Sequence, residues 1–426
     1  MPTPIYDELS WRGFIAQATH PEELAKLLSA GAVPFYIGFD PTGRSLHLGS
    51  LVPVIGMMRL QKAGHPPVAL IGGATGMVGD PSGKSEERKL LTLDDVRENG
   101  ASIRKQLEKF LDFSGPAAAR TADNSEWFTK MTCIEWLREV GKSYTVKDML
   151  EKESVKSRLS REQALSYTEF SYMLMQAYDF LHLFDSRGCL LQAGGDDQWG
   201  NITAGIDLIR RLRQKHAFGL TFPLLTTASG GKFGKTEKGT NVWLDPAMTS
   251  PFKFYQYLLN TDDKDVVRNL KLFTFLQQEE IARLEAALAQ APEKREAQRA
   301  LARETTTLAH GADAAARAIR ASEVIFSEEI RGVSEDLFLE ICADATCVPL
   351  SPEPLAAGLP LVDLLVQVSL AKSKNEARRL VEGGGVYLNN RKTSGLEQKV
   401  GKDDLLFGRL LLVRKGRKDT CLVKFG

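Results

Sequence analysis

Short apolar runs alternate with helix-period segments over the first half of the chain, which predicts an α/β domain built on a mostly parallel sheet. The run 35–39 indicates a strand. It is followed by a turn and by a predicted helix over 49–63, which Gly64 closes as a C-terminal cap. The next strand is expected at 68–72, and the alternation continues to about residue 225.

The pattern of hydrophobic and polar positions changes in the second half of the chain. From about 251 to 320, Ala, Glu, Arg and Leu recur at helical spacing without a strand-like stretch, so we predict a helical domain. Three prolines within 348–358 favour an extended linker. The segment 361–390 predicts two short amphipathic helices and a glycine turn into a strand. We therefore divide the chain into four parts, 1–225, 226–330, 331–358 and 359–426.

The amino-acid composition shows how charge is distributed among these parts. The chain has 426 residues, 43% of them hydrophobic, which is enough for more than one buried core and excludes a disordered or fibrous protein. Its net charge of +1 hides an uneven distribution. Residues 359–426 hold 14 Lys and Arg against 7 Asp and Glu, and the rest of the chain holds 41 against 47. A basic module on an acidic body is a cue for binding a polyanion, although most such clusters are solvated surface. The candidate phosphate contacts in this module are Lys372, Lys374, Arg378 and Arg379.

Several classes of protein are disfavoured by what the sequence lacks. Five scattered cysteines predict neither a disulfide framework nor a four-ligand zinc site. The N-terminus has no basic-then-apolar signal, and no apolar run approaches the roughly eighteen residues that span a bilayer. We therefore expect a soluble cytoplasmic protein with no membrane partner and no structural metal.

The turn at 40–50 is the first candidate for binding phosphate. His47 and Gly49 lie at a predicted helix start, where unpaired N–H groups and the positive end of the helix dipole attract an anion. The glycine allows an adenine or a phosphate to come close. An ordinary glycine-rich turn with a surface histidine explains the same residues equally well.

The glycine-rich loop at 230–236 is the second candidate. Lys232 and Lys235 are three residues apart, and a mobile loop could bring both onto a departing pyrophosphate. The alternative is a solvated lysine loop, which is what most charge runs are. The pairing with the His47 segment favours the functional interpretation.

A buried helix carries the third candidate. Residues 167–184 are apolar almost all round, yet Tyr172, Gln176 and Asp179 follow one another at i, i+4 and i+7 on one face. Buried polar groups need partners, which either a ligand or an internal network can supply. Asp197, at the end of a predicted strand, is placed either to hold a ribose or to cap a helix.

The two phosphate candidates together resemble a known family. His-Leu-Gly-Ser at 47–50 and Lys-Phe-Gly-Lys-Thr at 232–236 are similar to the two signatures of the class I aminoacyl-tRNA synthetases. The phrases at 36–42, 72–84, 172–179 and 194–201 resemble the bacterial tyrosyl-tRNA synthetase family in particular, and the resemblance extends over the whole chain. Ser50 stands where the class most often has a second histidine, so this position offers no imidazole.

The resemblance implies both a fold and an activity. It implies a Rossmann-like, doubly wound parallel sheet in the catalytic domain. An α-helical anticodon-binding domain and a small α+β RNA-binding domain of ribosomal-protein type would follow. The implied reaction joins L-tyrosine to ATP as tyrosyl-adenylate, releases pyrophosphate, and passes the tyrosyl group to the 3'-terminal ribose of tRNA(Tyr). No protein nucleophile is required, Mg²⁺ is expected on the ATP phosphates, and a homodimer is expected.

The resemblance also assigns residues by role. The implied catalytic residues are Thr42, His47, Lys232, Lys235 and Thr236. The implied tyrosine contacts are Tyr36 and Asp179 at the phenol, Tyr172, Gln176 and Asp80 at the ammonium, with Asn124 and Gln198 as further candidates. The implied ATP contacts are Gly38, Asp40, His47, Gly49, Gly194, Asp197 and Lys235. A pocket that hydrogen-bonds the phenol should reject phenylalanine, because its buried acceptor would be left unpaired.

Two other functions fit parts of the sequence. A small-molecule adenylyltransferase also places a His-x-Gly signature at a helix start, but it needs neither the helical domain, the basic tail nor the lysine loop. A non-enzymatic RNA-binding regulator would account for the tail alone. Exchange of pyrophosphate into ATP, measured with tyrosine, tryptophan and phenylalanine, distinguishes the three.

Overall fold

The computed structural model describes residues 3–82, 91–161, 164–228, 230–235, 239–324, 330–342, 345–416 and 419–426. It has two compact units. The first unit comprises Met1–Thr249 and Tyr257–Ala309, and the second comprises Ser250–Gln256 and His310–Gly426.

Helices and strands are numbered in chain order. The α-helices are α1 (Ile5–Arg12), α2 (Pro21–Ala30), α3 (Leu51–Lys62), α4 (Thr75–Val78), α5 (Leu93–Leu107), α6 (Ser125–Phe128), α7 (Cys133–Glu139), α8 (Val146–Leu150), α9 (Glu153–Ser160), α10 (Tyr167–Arg187), α11 (Trp199–Arg213), α12 (Pro251–Leu259), α13 (Asp263–Phe273), α14 (Gln278–Gln290), α15 (Glu296–His310), α16 (Ala312–Val324), α17 (Glu335–Ile341), α18 (Leu361–Gln367) and α19 (Lys374–Glu382). The strands are β1 (Gln17–Ala18), β2 (Phe35–Phe39), β3 (Pro67–Ile71), β4 (Arg120–Asp123), β5 (Leu191–Gly195), β6 (Phe218–Phe222), β7 (Thr346–Leu350), β8 (Leu359–Pro360), β9 (Val386–Leu388), β10 (Arg391–Lys392), β11 (Lys399–Val400), β12 (Leu410–Lys415) and β13 (Asp419–Phe425).

The sheet of the first unit has the strand order β1-β6-β5-β2-β3-β4. Strands β2 to β6 are parallel to their neighbours, and the short β1 is antiparallel to β6. The order reverses between β2 and β5, so the connections leave these neighbouring strands in opposite directions. A crevice therefore opens at the carboxyl ends of β2 and β5, which is where ligands bind in doubly wound sheets. The predicted Rossmann-like parallel sheet is confirmed.

Helix α10 carries the predicted polar stripe to this crevice. It begins where the Ser166 side chain accepts a hydrogen bond from the Glu169 N–H, and it ends at Gly188, which adopts φ +67°. Phe180 packs edge-on against the Tyr36 ring of β2, with centroids 5.4 Å apart. It also lies against Gly205 of α11, where a Cβ would be 2.9 Å from the Phe180 ring. This close packing fixes α10 against the sheet.

The helical region differs in extent from the predicted domain. Residues 251–324 are helical as expected, and no strand occurs in the part of them that the structure describes. However, α13, α14 and most of α15 belong to the first unit, whereas α16 belongs to the second. The compact units therefore do not divide at residues 225 and 330.

The predicted linker at 331–358 contains regular structure. Helix α17 lies within it, and β7 pairs in parallel with β13 at the edge of the five-stranded sheet β10-β9-β12-β13-β7. The prediction of a linker is wrong because prolines also occur in edge strands, where one side of the strand has no ladder to donate to. The basic module is α+β as predicted, and its sheet begins upstream of residue 359. Its core includes Leu361, Leu364, Val413 and Val423.

Candidate active site

A cavity of about 300 Å³ opens at the carboxyl ends of β2, β3 and β5, a volume in the range of small-molecule sites. It brings together predicted residues from seven elements and turns of the first unit. Those that line it are Tyr36, Gly38, Asp40, Thr42, Asp80, Asn124, Tyr172, Gln176, Asp179, Gly194, Asp197 and Gln198. Ser50 and Thr75 also line it.

Asp179 lies at one end of the cavity with only 2% of its surface exposed. One carboxylate oxygen accepts a hydrogen bond from Trp127 Nε1 at 2.9 Å, and the other accepts one from Asn124 Nδ2 at 3.0 Å. Burial raises the pKa of this carboxyl well above its ordinary value, although the two hydrogen bonds act in the opposite direction. A carboxylate has about four acceptor positions, so Asp179 retains capacity for another donor.

The hydroxyl of Tyr36 has no hydrogen-bond partner among the residues that the structure describes. The side chain is 1% exposed, and burial followed by the charge of Asp179 raises the pKa of its hydroxyl well above the ordinary value. Gln192 Oε1, also at the cavity, is likewise unpaired. An unpaired buried polar group costs about 1–3 kcal/mol, so a ligand that paired with these two atoms would be stabilised here.

Asp40 connects the predicted ATP contacts with the predicted tyrosine contacts. It accepts hydrogen bonds of 2.7 Å from the hydroxyl of Tyr172 and of 2.7 Å from Thr75 Oγ1. The pKa of Tyr172 is raised well above its ordinary value by burial and then by the charge of Asp40. Asp40, expected at ATP, and Tyr172, expected at the tyrosine ammonium, are therefore direct neighbours in the cavity lining.

Amide and carboxylate side chains form a second hydrogen-bond network at the cavity. Gln198 donates to Asp80 at 2.7 Å, and Asn201 Nδ2 donates to Gln176 at 3.0 Å and to Gln198 at 3.1 Å. Burial, then the charge of Asp80, raises the pKa of Asp197. Asp197 lies inside the 3₁₀ turn Asp196–Gln198, for which the cap residue is Gly195, so the alternative of a plain helix cap is wrong.

Three residues of this site were not predicted. Thr75 lines the cavity from the short helix after β3, and Trp127 contacts Asp179 from the short helix after β4. Only the strand order brings those helices beside α10. Asn201 offered one signal, since it follows Gln198 by three residues in the first turn of α11. Its position on the same helical face was available from spacing alone.

The two signature segments lie in direct contact, and Ser50 is the one residue of their described parts that lines the cavity. Gly234 has φ +84°, and a Cβ on it would be 3.2 Å from the backbone nitrogen of Gly49. Val242 bridges them, because its N–H donates to Gly234 O and its carbonyl accepts from the Leu48 N–H, both at 2.8 Å. Lys232 and Lys235 are exposed. Thr236 lies outside the described residues.

His47 caps the first turn of its own helix. Its Nδ1 accepts a hydrogen bond from the Ser50 N–H at 3.2 Å, so the imidazole is a hydrogen-bond acceptor at this nitrogen. A Cβ at position 49 would lie 3.0 Å from Nδ1, which explains the glycine between them. The glycine makes room for the imidazole, in addition to any role in ligand approach.

In the described part of the chain, no group of three or more His, Cys, Asp and Glu side chains is arranged to hold a metal ion. None of the helices described there has the length and apolarity that crossing a bilayer requires. The basic residues Lys372, Lys374, Arg378 and Arg379 are all exposed in the second unit, and Lys374 pairs with Asp363 at 2.6 Å.

Two protein-family models match this chain, one over most of it and one at its C-terminal end. Residues 29–327 match the family model of class I tRNA synthetases for tryptophan and tyrosine, and 348–423 match the C-terminal domain model of tyrosine–tRNA ligases. The tyrosine–tRNA ligase of Opitutus terrae is 50% identical over 422 residues, which is 99% of each chain. This chain belongs to the class I tyrosyl-tRNA synthetase family. The tyrosine–tRNA ligase of Geobacillus stearothermophilus is also similar, at 47% identity over 98% of this chain and 99% of its own.

Solved structures of tyrosyl-tRNA synthetases share the fold of this chain. A C-terminally truncated mitochondrial tyrosyl-tRNA synthetase of Aspergillus nidulans matches with a TM-score of 0.70 and 32% identity, covering 76% of this chain and 95% of its own. The tyrosyl-tRNA synthetase of Archaeoglobus fulgidus, at 18% identity and a TM-score of 0.56, shares the fold and covers 73% of this chain and 99% of its own. The predicted family and fold class are confirmed.

Proposed function

We propose that the cavity binds L-tyrosine with its phenol between Tyr36 and Asp179, and that the chain activates it with ATP. The unpaired Tyr36 hydroxyl beside the buried Asp179 carboxylate carries this assignment. The phenol would donate to the carboxylate and accept from Tyr36, which satisfies both groups. Tyrosine–tRNA ligase activity, predicted from the motifs, follows from the family. Pyrophosphate exchange that requires tyrosine, with tryptophan and phenylalanine inactive, is the test.

The ammonium group of tyrosine is the natural partner of the acidic wall. Asp80 lines the cavity with Gln176 and Tyr172, and Asn124 and Gln198 complete the polar lining. The described lining contains carboxylates but neither Lys nor Arg. Such a wall attracts a cation and repels the triphosphate of ATP.

The basic groups that would meet the charge of ATP therefore come from outside the cavity lining, whereas Thr42 would contribute a hydroxyl from within it. Thr42 and His47 would hold the phosphates from one side, and Lys232, Lys235 and Thr236 would close from the other. The remaining nucleotide contacts are Gly38, Asp40, Gly49, Gly194 and Asp197. Mg²⁺, expected from the family resemblance, would bind the ATP phosphates and would neutralise the charge that develops there. The tyrosine carboxylate attacks the α-phosphate in line, so positioning and electrostatics carry catalysis.

The helical region at 226–330 and the basic module at 359–426 would hold tRNA(Tyr), the first at its anticodon. After activation, the 3'-terminal ribose of this tRNA takes the tyrosyl group. We also propose a cytoplasmic location for this activity. The exposed cations of α18–α19 support RNA binding because they form part of the local positive excess of this module.

Removing two of these cations tests the RNA assignment. In Lys372→Ala combined with Arg378→Ala, we expect KM for tRNA to rise about tenfold and the salt slope of charging to fall by about one to two, since each lost phosphate contact removes roughly 0.7–0.9. Pyrophosphate exchange should be unchanged. Lys105→Ala combined with Lys109→Ala, which removes two exposed lysines of the first unit, is the matched control. Equal effects of both pairs on charging contradict the assignment.

Exposed apolar side chains support the expected homodimer. Ile134 and Val146, each 65% exposed, and Leu137, Leu150 and Tyr167 lie on α7, α8 and the start of α10. Several large apolar side chains exposed in one part of the sequence are typical of an interface.

A charge introduced on this surface should separate the subunits. We expect Ile134→Asp with Val146→Asp to shift the sedimentation coefficient from dimer to monomer, because a buried unpaired carboxylate is costly. Leu93→Asp, at an apolar residue 45% exposed elsewhere in the first unit, should leave the dimer intact. A wild-type monomer, or a dimer that survives both changes, contradicts this interface.

A further inference from the structure

Two stacked aromatic rings lie next to the carboxylate of Asp179, and neither ring belongs to the cavity lining. Trp127 of α6 donates its Nε1–H to Asp179. On its flat face, the indole is covered by the imidazole of His182, with ring centroids 4.2 Å apart and planes 21° apart. His182 is on α10, three residues after Asp179 and therefore on a neighbouring part of the same helical surface. It is not among the residues that line the tyrosine cavity.

The local backbone does little to fix the Trp127 ring. Helix α6 has four residues, a single turn, so it holds the side chain less firmly than a long helix would. Phe128 is 6.3 Å from the indole and tilted by 48°, which leaves His182 as the stacked neighbour among the described aromatic pairs. The direction of the Nε1–H bond depends on the plane of the ring. The stack therefore sets where that hydrogen bond points.

We propose that His182 is a positioning residue for tyrosine recognition, which holds the Trp127 indole so that Nε1 orients the carboxylate of Asp179 toward the substrate phenol. The proposal rests on the proposed role of Asp179. It deepens that role, because the carboxylate is held from two sides, by Asn124 within the cavity and by the Trp127 stack behind it.

The other surroundings of His182 are mostly polar, with Leu181 and Leu212 among them. A separate cavity of about 490 Å³ adjoins it, lined by Glu139, Lys142, Tyr178 and the ion pair of Asp185 with Arg213. Burial lowers the pKa of His182, against the raising effect of Asp185. A neutral ring stacks on the indole as an aromatic plane, so a phenyl ring can take over this function while an aliphatic chain cannot.

The proposal predicts a split in the kinetics of the full-length enzyme. In His182→Leu we expect KM for tyrosine to rise about three- to tenfold in pyrophosphate exchange, with KM for ATP unchanged. In His182→Phe both constants should stay within about twofold of wild type, since the stacked plane is kept. His182→Gln replaces the leucine variant if that protein does not fold. Equal KM for tyrosine in all variants, or parallel changes in both constants, overturns the proposal.

A double-mutant cycle tests whether the effect passes through the indole. Trp127→Phe removes the Nε1–H donor, so adding His182→Leu to it should leave KM for tyrosine unchanged. Independent, additive effects of the two substitutions overturn the proposal. Failure of the wild-type enzyme to require tyrosine for exchange would instead refute the proposed function. The two outcomes are therefore distinguishable.

Discussion

Asp179→Asn should lower kcat/KM for tyrosine in pyrophosphate exchange by up to about a hundredfold, because a hydrogen bond to a charged group is worth up to about 3 kcal/mol and each 1.4 kcal/mol is tenfold. The amide is isosteric, but its NH₂ group must face either Trp127 Nε1 or Asn124 Nδ2, and both of those are donors. The phenol would lose its charged acceptor, and the side chain at position 179 would lose one of the two hydrogen bonds that orient it.

The same substitution should change how stability depends on pH. Burial raises the pKa of Asp179 in the folded chain above its unfolded value, so the folded chain binds the proton more readily. The stabilisation from that proton is complete below the unfolded pKa and is lost as pH rises through the folded pKa. Asn cannot titrate, so the free energy of unfolding of the wild type should fall relative to the variant as pH rises, by about 1.4 kcal/mol per pH unit at the steepest point.

Denaturant titrations of both proteins from about pH 4 upward measure this difference. Asp185→Asn is the matched control, since Asp185 is on the same helix but its carboxylate is 39% exposed and paired with Arg213. It should change neither exchange nor the pH trend appreciably. A pH-independent difference between wild type and Asp179→Asn, or near-normal exchange by the variant, contradicts the assignment of Asp179.

The polar stripe of α10 shows what the sequence could predict. Helical spacing alone placed Tyr172, Gln176 and Asp179 on one face, and all three line one cavity. Trp127 could not be found in this way. Its contact with Asp179 depends on which strands are neighbours in the sheet, and no local pattern records that order.

Domain boundaries were predictable only in part, for a related reason. Apolar periodicity correctly indicated the helices between 251 and 324, but which unit a helix packs into depends on contacts far along the chain. The prolines around β7 are compatible with a linker and with an edge strand. The register of β7 with β13, in which Val348 lies opposite Val423, decides for the strand. The interpretation of the Lys232 loop depended on the family resemblance, since about two hundred residues separate it from His47.

The second large effect is expected where the two signatures meet. Lys235→Ala should slow tyrosyl-adenylate formation by about 10²–10³-fold, the usual loss when one donor to developing charge is removed. Tyrosine affinity should hardly change, because Lys235 is exposed in a loop that does not line the cavity. Single-turnover formation of the adenylate, with tyrosine binding measured separately, distinguishes the two quantities. Lys264→Ala, at an exposed lysine of α13, is the control.

His47 needs two variants, because its imidazole also caps a helix turn through the Ser50 N–H. His47→Ala removes both the cap and the imidazole, whereas His47→Asn supplies a side-chain acceptor that suits a helix start. If His47 acts on the phosphates, both variants should slow adenylate formation to a similar degree with tyrosine affinity kept. If it only caps the turn, the asparagine variant recovers the wild-type rate. Normal rates in both His47→Asn and Lys235→Ala would show that contact between the signatures is structural and that the phosphates are held elsewhere.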